Sequence, residues 1–177
     1  MILASPSAEP ALADLVEAWH GPLFCFAFCL TGSREEAARL TQETFRRWIP
    51  EPAARGGEER RRLFKGLYRL AAGPAAAAAA GPAAAPPWPA RAVCAGAEVV
   101  ARLRPEELAA AFRQLDAACR APLALSYAGD FSAAEIAEIT GVPLEAALGR
   151  LTAGKAQLLG ALAAPRQDPA PRWAAAG

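Results

Sequence analysis

The chain has 177 residues, of which 54% are apolar, and its formal net charge is +1. This length suits one domain or two small ones, and a charge so close to neutral excludes a global basic field, so any contact with nucleic acid must come from local patches. No apolar run approaches the roughly 18 residues of a membrane span, and the first residues lack the basic segment and apolar core of a secretory leader. We therefore expect a cytoplasmic protein with no membrane partner.

The first predicted element covers residues 11–31, which are apolar almost throughout their second half, as in a central helix. Gly21 and Pro22 lie in the middle of this stretch and predict a kink or a break there. Gly32 is expected to close the element.

The four cysteines show no paired C-x-x-C spacing, which argues against a zinc ribbon. His20 and Cys29 would lie on opposite sides of a helix, so they cannot form a single-helix metal site with Cys25. Cys25 and Cys29 lie one turn apart, and we interpret them as small buried hydrophobes in reduced form. The sequence indicates no metal or other cofactor.

A second helix is predicted from Arg34 to Ile49, with Ser33 and Glu36 forming a capping box at its start. Its two sides differ in character, so one is expected to pack and the other to face solvent or a partner. The packing side carries Ala37, Leu40, Thr44, Phe45 and Trp48, and the other side carries Arg34, Glu35, Gln42, Glu43, Arg46 and Arg47.

A third helix is predicted from Glu58 to Ala72, with acidic residues first and basic residues later, which suits the helix dipole. A basic stripe beside aromatic residues can hold a nucleic-acid backbone and stack bases. A solvated arginine face is the alternative interpretation. The basic residues are Arg60, Arg61, Arg62, Lys65 and Arg69, interleaved with Leu63, Phe64, Leu67, Tyr68 and Leu70.

The composition changes abruptly at Gly73, where a stretch rich in alanine and proline begins that has almost nothing to bury. This change predicts two small helical domains, at residues 1–72 and 105–163. Residues 73–104 would form the linker between them. The last residues, 164–177, are expected to be a disordered tail.

The second unit is predicted to contain a helix from Pro105 to about Leu115 and another that Asp116 caps and that runs to Tyr127, with Pro122 as a point of strain. Two further helices joined by a tight turn follow. Such a pair is either a DNA-binding helix-turn-helix or an ordinary helical hairpin.

The tight turn is predicted from local signals. Ser132 and Glu135 form a capping box at the start of the first helix, and Gly141 lies where the helix must end in a left-handed conformation. The second helix begins near Pro143 and reaches Ala163. Its leucines at spacings of three, four or seven are expected to form the buried side: Leu144, Leu148, Leu151, Leu158 and Leu162.

Two of these stretches resemble a known family. The stretch from Pro22 to Trp48 is similar to the polymerase-clamp-binding helices of the extracytoplasmic-function group of bacterial sigma factors, which have a proline-led aromatic helix, a capped turn and a glutamine-glutamate-threonine-phenylalanine signature. The matching positions there are Leu30, Thr31, Gly32, Gln42, Glu43, Thr44, Phe45 and Trp48.

The stretch from Leu115 to Leu158 resembles the promoter-reading helix-turn-helix of the same group. The matching positions are Arg120, Leu123, Leu125, Tyr127, Ser132, Glu135, Ile136, Ala137, Gly141, Val142, Pro143, Arg150, Leu151 and Lys155. Two such stretches in the family's order, with a linker between them, indicate this family more specifically than either stretch alone.

The resemblance implies an all-helical protein that is not an enzyme. It would bind core RNA polymerase through its first domain and promoter DNA through both domains. The residues implied in polymerase binding are Arg39, Leu40, Gln42, Glu43, Phe45 and Arg46. Those implied near the melted promoter element are Arg62, Lys65, Tyr68 and Arg69. Those implied near the distal element are Ser132, Pro143, Leu144, Glu145, Ala146, Leu148, Gly149, Arg150 and Lys155.

The chain also departs from the family pattern. Arg39 stands where the family usually has an acidic residue able to pair with basic clamp residues. In the recognition helix, Ala146, Leu148, Gly149 and Ala153 occupy positions that are commonly polar or basic, and only Arg150 and Lys155 retain positive charge.

Two hypotheses therefore stay open. The chain is a sigma factor that directs polymerase to promoters, or it is a sigma-like interaction protein with degraded DNA reading that binds an anti-sigma factor or the polymerase clamp. An unrelated helical enzyme has little support, because the single histidine and the absence of clustered polar residues leave no evident site for acid-base or nucleophilic chemistry.

Overall fold

The computed structural model describes residues 8–48, 57–76 and 104–163. Seven helices and no strand occur in these ranges, which confirms the all-α prediction. Most of the predicted linker and the predicted tail lie outside the described residues. The helices are α1 (Ala8–Thr31), α2 (Arg34–Arg46), α3 (Gly57–Ala76), α4 (Pro105–Arg113), α5 (Ala117–Gly129), α6 (Ala133–Thr140) and α7 (Leu144–Ala163).

Helix α1 runs through Gly21 and Pro22, so the break predicted there does not occur. A proline inside a helix removes one backbone hydrogen bond and costs about 3 kcal/mol. Several residues that follow it are buried, and Leu23 and Phe26 are completely so. Burying a side chain of this size contributes roughly 1.5–3 kcal/mol, so packing after Pro22 offsets its local cost.

Helix α2 begins as predicted but shows only half of the capping box. The Ser33 hydroxyl accepts a hydrogen bond from the Glu36 backbone N–H. The Glu36 carboxylate pairs instead with Arg39, at 2.6 Å. The buried side also includes Thr41, which was not among the residues predicted to pack. Thr41 can be buried because its hydroxyl donates a hydrogen bond to the Ala37 carbonyl inside the core.

Helix α3 is interrupted at Gly73, whose φ of 61° and ψ of −178° are not helical. This agrees with the predicted stop at Gly73. Leu63, Phe64 and Leu67 form its buried side, with exposed fractions of 1% or less.

The helices before and after the linker pack against each other. Helix α1 contacts α2, α3, α4 and α5, while α3 contacts α6. Buried residues from both predicted units form one hydrophobic cluster, which includes Phe26, Phe64, Phe112, Leu123 and Phe131. Outside this cluster, Arg34 at the start of α2 pairs with Glu106 of α4. The division into two domains therefore stays a prediction, and the described helices share a core.

Two sets of hydrogen bonds connect the helices from α4 to α7. Arg120 donates to the backbone carbonyls of Phe112, Arg113 and Leu115, at 3.0–3.2 Å, and so satisfies acceptors at the end of α4. Asp116 does not cap α5 through its side chain. Its carboxylate accepts from the Gln157 amide at 2.6 Å, and its backbone N–H donates to the same amide at 3.0 Å, which ties α7 to the turn before α5.

The buried side of α7 matches the predicted leucine side only in part. Leu158 is buried and Leu151 and Leu162 are half-buried against the core, but Leu144 and Leu148 are each 48% exposed, and Ala147 and Gly154 are buried as well. A Cβ placed on Gly154 would lie 3.3 Å from the Cβ of Cys119, so α7 approaches α5 closely at this glycine. A glycine therefore lies at the closest contact with α5, because a larger residue would not allow this approach.

Gly141 and Gly160 provide a matched test of the turn. Gly141 has a φ of 74°, Gly160 lies inside α7, and an added Cβ would meet no atom within 4 Å at either site. We expect Gly141→Ala to lower the free energy of unfolding by about 1–2 kcal/mol, because only its left-handed backbone opposes a side chain. Gly160→Ala should raise it by roughly 0.5–1 kcal/mol.

Urea unfolding followed by circular dichroism measures both changes. An unchanged or raised free energy of unfolding for Gly141→Ala would show that the left-handed turn does not constrain this position.

Candidate nucleic-acid interface

The turn between α6 and α7 has the local geometry that the sequence predicts. Ser132 caps α6, because its hydroxyl accepts from the Glu135 N–H and the Glu135 carboxylate accepts from the Ser132 N–H at 2.9 Å. Gly141 ends α6 in the left-handed conformation. Ile136, Ile139 and Val142 are buried beneath the turn. The turn is thereby held rigidly, with the start of α7 on the surface.

The first two turns of α7 carry most of the residues implied near the distal element. Ser132, before α6, is exposed as well. The exposed members of the predicted set are Ser132, Pro143, Leu144, Glu145 and Leu148, and the half-buried members are Ala146, Gly149 and Lys155.

Arg150 lies on the packed side of α7 and is only 7% exposed. It follows Ala147 by three residues and precedes Gly154 by four, so it shares their face. Burial, followed by the Asp116 charge, raises the pKa of the Cys119 thiol, and the nearby Arg150 charge opposes this rise. The expectation that Arg150 contacts DNA stays a prediction, and the structure places this side chain on the packed side of the helix, whereas Lys155, the other cation of α7, is half-buried.

Three of the residues implied near the melted element lie together on α3. Lys65, Tyr68 and Arg69 line a cleft of about 420 Å³. The opposite wall is the end of α6 and its turn, including Thr140 and Gly141. The structure thus brings the basic, aromatic side of α3 next to the helix-turn-helix, which sequence reasoning had assigned to a separate domain.

Arg62 faces the other side of α3. Its guanidinium lies 5.2 Å from the centre of the Trp48 ring. Arg62 and Trp48 line a second cavity of about 470 Å³ together with Arg47 and Arg69. Three arginines thus line one cavity with Trp48, and the Arg62 guanidinium lies close enough to its ring for a cation–π contact.

Arg60 and Arg61 are paired with the helix-turn-helix. Arg60 lies 2.8 Å from Glu135, and Arg61 lies 2.7 Å from Glu138, both carboxylates belonging to α6. The Arg60 guanidinium also lies 4.4 Å from the centre of the Phe131 ring. Sequence reasoning missed these pairs, because no local signal relates charges that are 75 and 77 positions apart.

The comparison with known families concerns the second half of the chain. Residues 106–158 match the family model of sigma-70, region 4. This supports a member of the sigma-70 family. Region 4 is a DNA-binding regulatory domain, so the helix-turn-helix interpretation of α6 and α7 is favoured over an ordinary hairpin. Residues 1–105 lie outside the match, and no curated protein matches the chain.

The polymerase-binding set implied by the resemblance lies on α2, outside the region 4 match. Gln42 and Arg46 are exposed, whereas Leu40 is only 2% exposed and can act only by supporting the surface from within. Glu43 accepts from Arg46 at 3.0 Å and from Arg47 at 2.6 Å. The remaining members of the set are the half-buried Phe45 and the exposed Arg39.

The two cysteines of α1 lie one turn apart, as predicted, but only Cys29 is buried. Cys25 is half-buried, so the prediction that both are buried holds for Cys29 alone. A hydrogen bond from Cys29 lowers the pKa of Cys25 to about 7 against the opposing effect of burial, and the same contact raises the pKa of Cys29. Among the described residues, no group of three or more potential ligands could hold a metal ion, and no helix is long and apolar enough to cross a membrane.

Lys155 and Arg150 are expected to differ in how their loss affects DNA binding. Lys155→Ala should weaken binding of the full chain to duplex DNA and reduce the slope of log affinity against log salt by about one, because one phosphate contact is lost. Arg150→Ala should mainly lower the free energy of unfolding, by about 1–3 kcal/mol, since this side chain is buried.

Titrations at several salt concentrations measure the slope, with Arg113→Ala as the charge-matched control on the exposed surface of α4. An unchanged slope for Lys155→Ala would place the phosphate contacts elsewhere.

Glu135 should make the fold sensitive to acid. Hydrogen bonds from the Ser132 backbone, then from its hydroxyl and from Arg60, hold the pKa of Glu135 below its usual range. The resulting stabilisation is complete above the unfolded carboxyl pKa of about 4.3 and is lost as pH falls through the lower folded value. We expect Glu135→Gln to be less stable than the wild-type chain at pH 7, with the difference vanishing in strong acid.

Urea midpoints measured from pH 7 down to about pH 2 test this, with Glu35→Gln as the control. A difference between wild type and Glu135→Gln that does not change with pH would contradict the assignment.

Proposed function

We propose that the chain is a cytoplasmic sigma factor of the extracytoplasmic-function group, which binds core RNA polymerase and directs it to promoter DNA. The observation that supports this most strongly is the helix-turn-helix within the region 4 match. In such motifs the N-terminal residues of the second helix contact base edges in the major groove. Pro143, Leu144 and Glu145 are exposed at that end.

The first half of the chain supports the polymerase part of the proposal. Helix α2 packs through Ala37, Leu40 and Thr44, which leaves Gln42 and Arg46 on the surface. Polar residues on a helix whose other side is committed to the core are available to a partner. The basic and aromatic side of α3 is suited to the melted strand, since cations hold the backbone and aromatic rings stack bases.

The second candidate is a sigma-like interaction protein that binds an anti-sigma factor or the polymerase clamp and reads DNA poorly. Burial of Arg150 and the 48% exposure of Leu144 and Leu148 favour it. A DNA-reading helix usually offers hydrogen-bond donors and acceptors to base edges, whereas exposed leucines are suited to a protein partner.

Reconstitution with core RNA polymerase distinguishes the two candidates. A sigma factor yields promoter-dependent transcripts and binds the core enzyme. Core binding, or binding to an anti-sigma factor, without promoter-dependent transcripts would favour the interaction protein. Absence of all these activities would contradict both.

The exposed polar side of α2 is expected to determine core binding. The triple variant Gln42→Ala, Glu43→Ala and Arg46→Ala should stay helical, because alanine is the better helix former, and should bind core polymerase at least about tenfold more weakly. Co-purification and equilibrium titration with core enzyme measure the effect.

The matched control replaces the same residue types on other exposed surfaces, at Gln114, Glu17 and Arg113. Equal affinity of the two triple variants would exclude this side of α2 as the docking surface. Arg39→Asp should strengthen binding if the clamp presents basic residues.

A further inference from the structure

The contact between α3 and α6 places opposite charges directly against each other. Arg60 and Arg61 are the first two residues of the basic run of α3, and both are paired with carboxylates of α6 at less than 3 Å. The side chains of Arg60 and Glu135 are only 22% and 25% exposed, so this pair is screened by solvent less than a surface pair would be.

Phosphate groups of nucleic acid would need the same guanidinium groups. A carboxylate and a phosphate both bind arginine through charged oxygen atoms, so the two compete for one donor set. While α6 is docked, Glu135 and Glu138 occupy the position that a nucleic-acid backbone would take beside Arg60 and Arg61. The neighbouring Lys65, Tyr68 and Arg69 line the cleft whose other wall is the end of α6.

We propose that the acidic side of α6 masks the basic side of α3 within the same chain, so that nucleic acid reaches Arg60 and Arg61 only after both ion pairs break. The proposal rests on the proposed function in one respect, namely that α3 binds nucleic acid. The helix-turn-helix thereby acts as a regulator of the other nucleic-acid surface as well as a DNA-binding element.

The masking contact has two components that respond differently to salt. The ion pairs weaken as salt screens them. The contact between Phe64 and Phe131, whose ring centres lie 5.0 Å apart, is apolar and is not weakened by electrostatic screening. Removal of the two carboxylates should therefore release the arginines without removing the apolar contact that positions α6.

The test uses the full chain and the double variant Glu135→Gln with Glu138→Gln. Glutamine keeps the acceptor that the Ser132 cap needs, so α6 should stay folded while its charges are removed. The control is Glu17→Gln with Glu35→Gln, which changes the net charge equally at exposed positions on α1 and α2. Circular dichroism verifies folding of both variants.

The probe is a fluorescent single-stranded oligodeoxynucleotide of mixed sequence, titrated at low and high salt. We expect the α6 double variant to bind about three- to tenfold more tightly than the charge-matched control at low salt, which corresponds to two ion pairs of ordinary strength. The gain should shrink as salt rises. Equal affinities of the two variants would overturn the masking proposal while leaving nucleic-acid binding by the chain intact.

Hydrogen exchange provides a second measurement that does not involve nucleic acid. Amide exchange in α6 should accelerate in the double variant relative to the control, because the ion pairs no longer hold α6 on α3. Unchanged exchange would overturn the proposal. Accelerated exchange without oligonucleotide binding by any variant would also overturn it, and would trace the failure to the proposed function, because the contact would then exist with no nucleic acid to exclude.

Discussion

The arrangement of the described helices depends on a series of three phenylalanines. The Phe26 and Phe64 ring centres lie 5.4 Å apart, and the Phe64 and Phe131 ring centres lie 5.0 Å apart in an edge-to-face geometry. These rings belong to α1, α3 and the residue that precedes the cap of α6. All three are nearly or completely buried. Aromatic pairs in this geometry contribute about 0.5–1.5 kcal/mol beyond the area that they bury.

Phe131 also determines the path of the chain between α5 and α6. A Cβ on Gly129 would lie 2.3 Å from the Phe131 ring, so glycine is required for this close approach. The next residue, Asp130, adopts a φ of 51°, which turns the chain back towards α6. Once Phe131 is seated against Phe64, Ser132 begins α6 beside α3. The charge pairs between α3 and α6 are therefore a consequence of apolar packing, which brings the arginines and carboxylates within reach.

Local signals in the sequence predicted much of the fold. Contacts between segments that are distant in the sequence could not be predicted from it. The Ser132 cap, the left-handed Gly141 and the interruption at Gly73 depend on a few neighbouring residues, and each is observed. Of the kink or break predicted at Pro22, the break does not occur, because tertiary packing overrides a local penalty. Pairing of Arg60 with Glu135 could not be predicted, since it depends on how two separated segments meet.

In α7, too, tertiary packing changed which residues are buried from what the local sequence pattern had predicted. Leucine spacing placed Leu158 in the core correctly but Leu144 and Leu148 wrongly, because the side of α7 that packs closely on its neighbours carries small residues such as Ala147 and Gly154. With this side packed, Arg150 is turned inward, while Leu144 and Leu148 are turned outward. In a sigma factor these leucines would contact apolar groups such as thymine methyls, whereas in an interaction protein they would be buried by the partner. One side of α7 is already packed against the rest of the protein. The two candidate functions would therefore differ in what contacts the two exposed leucines and Lys155.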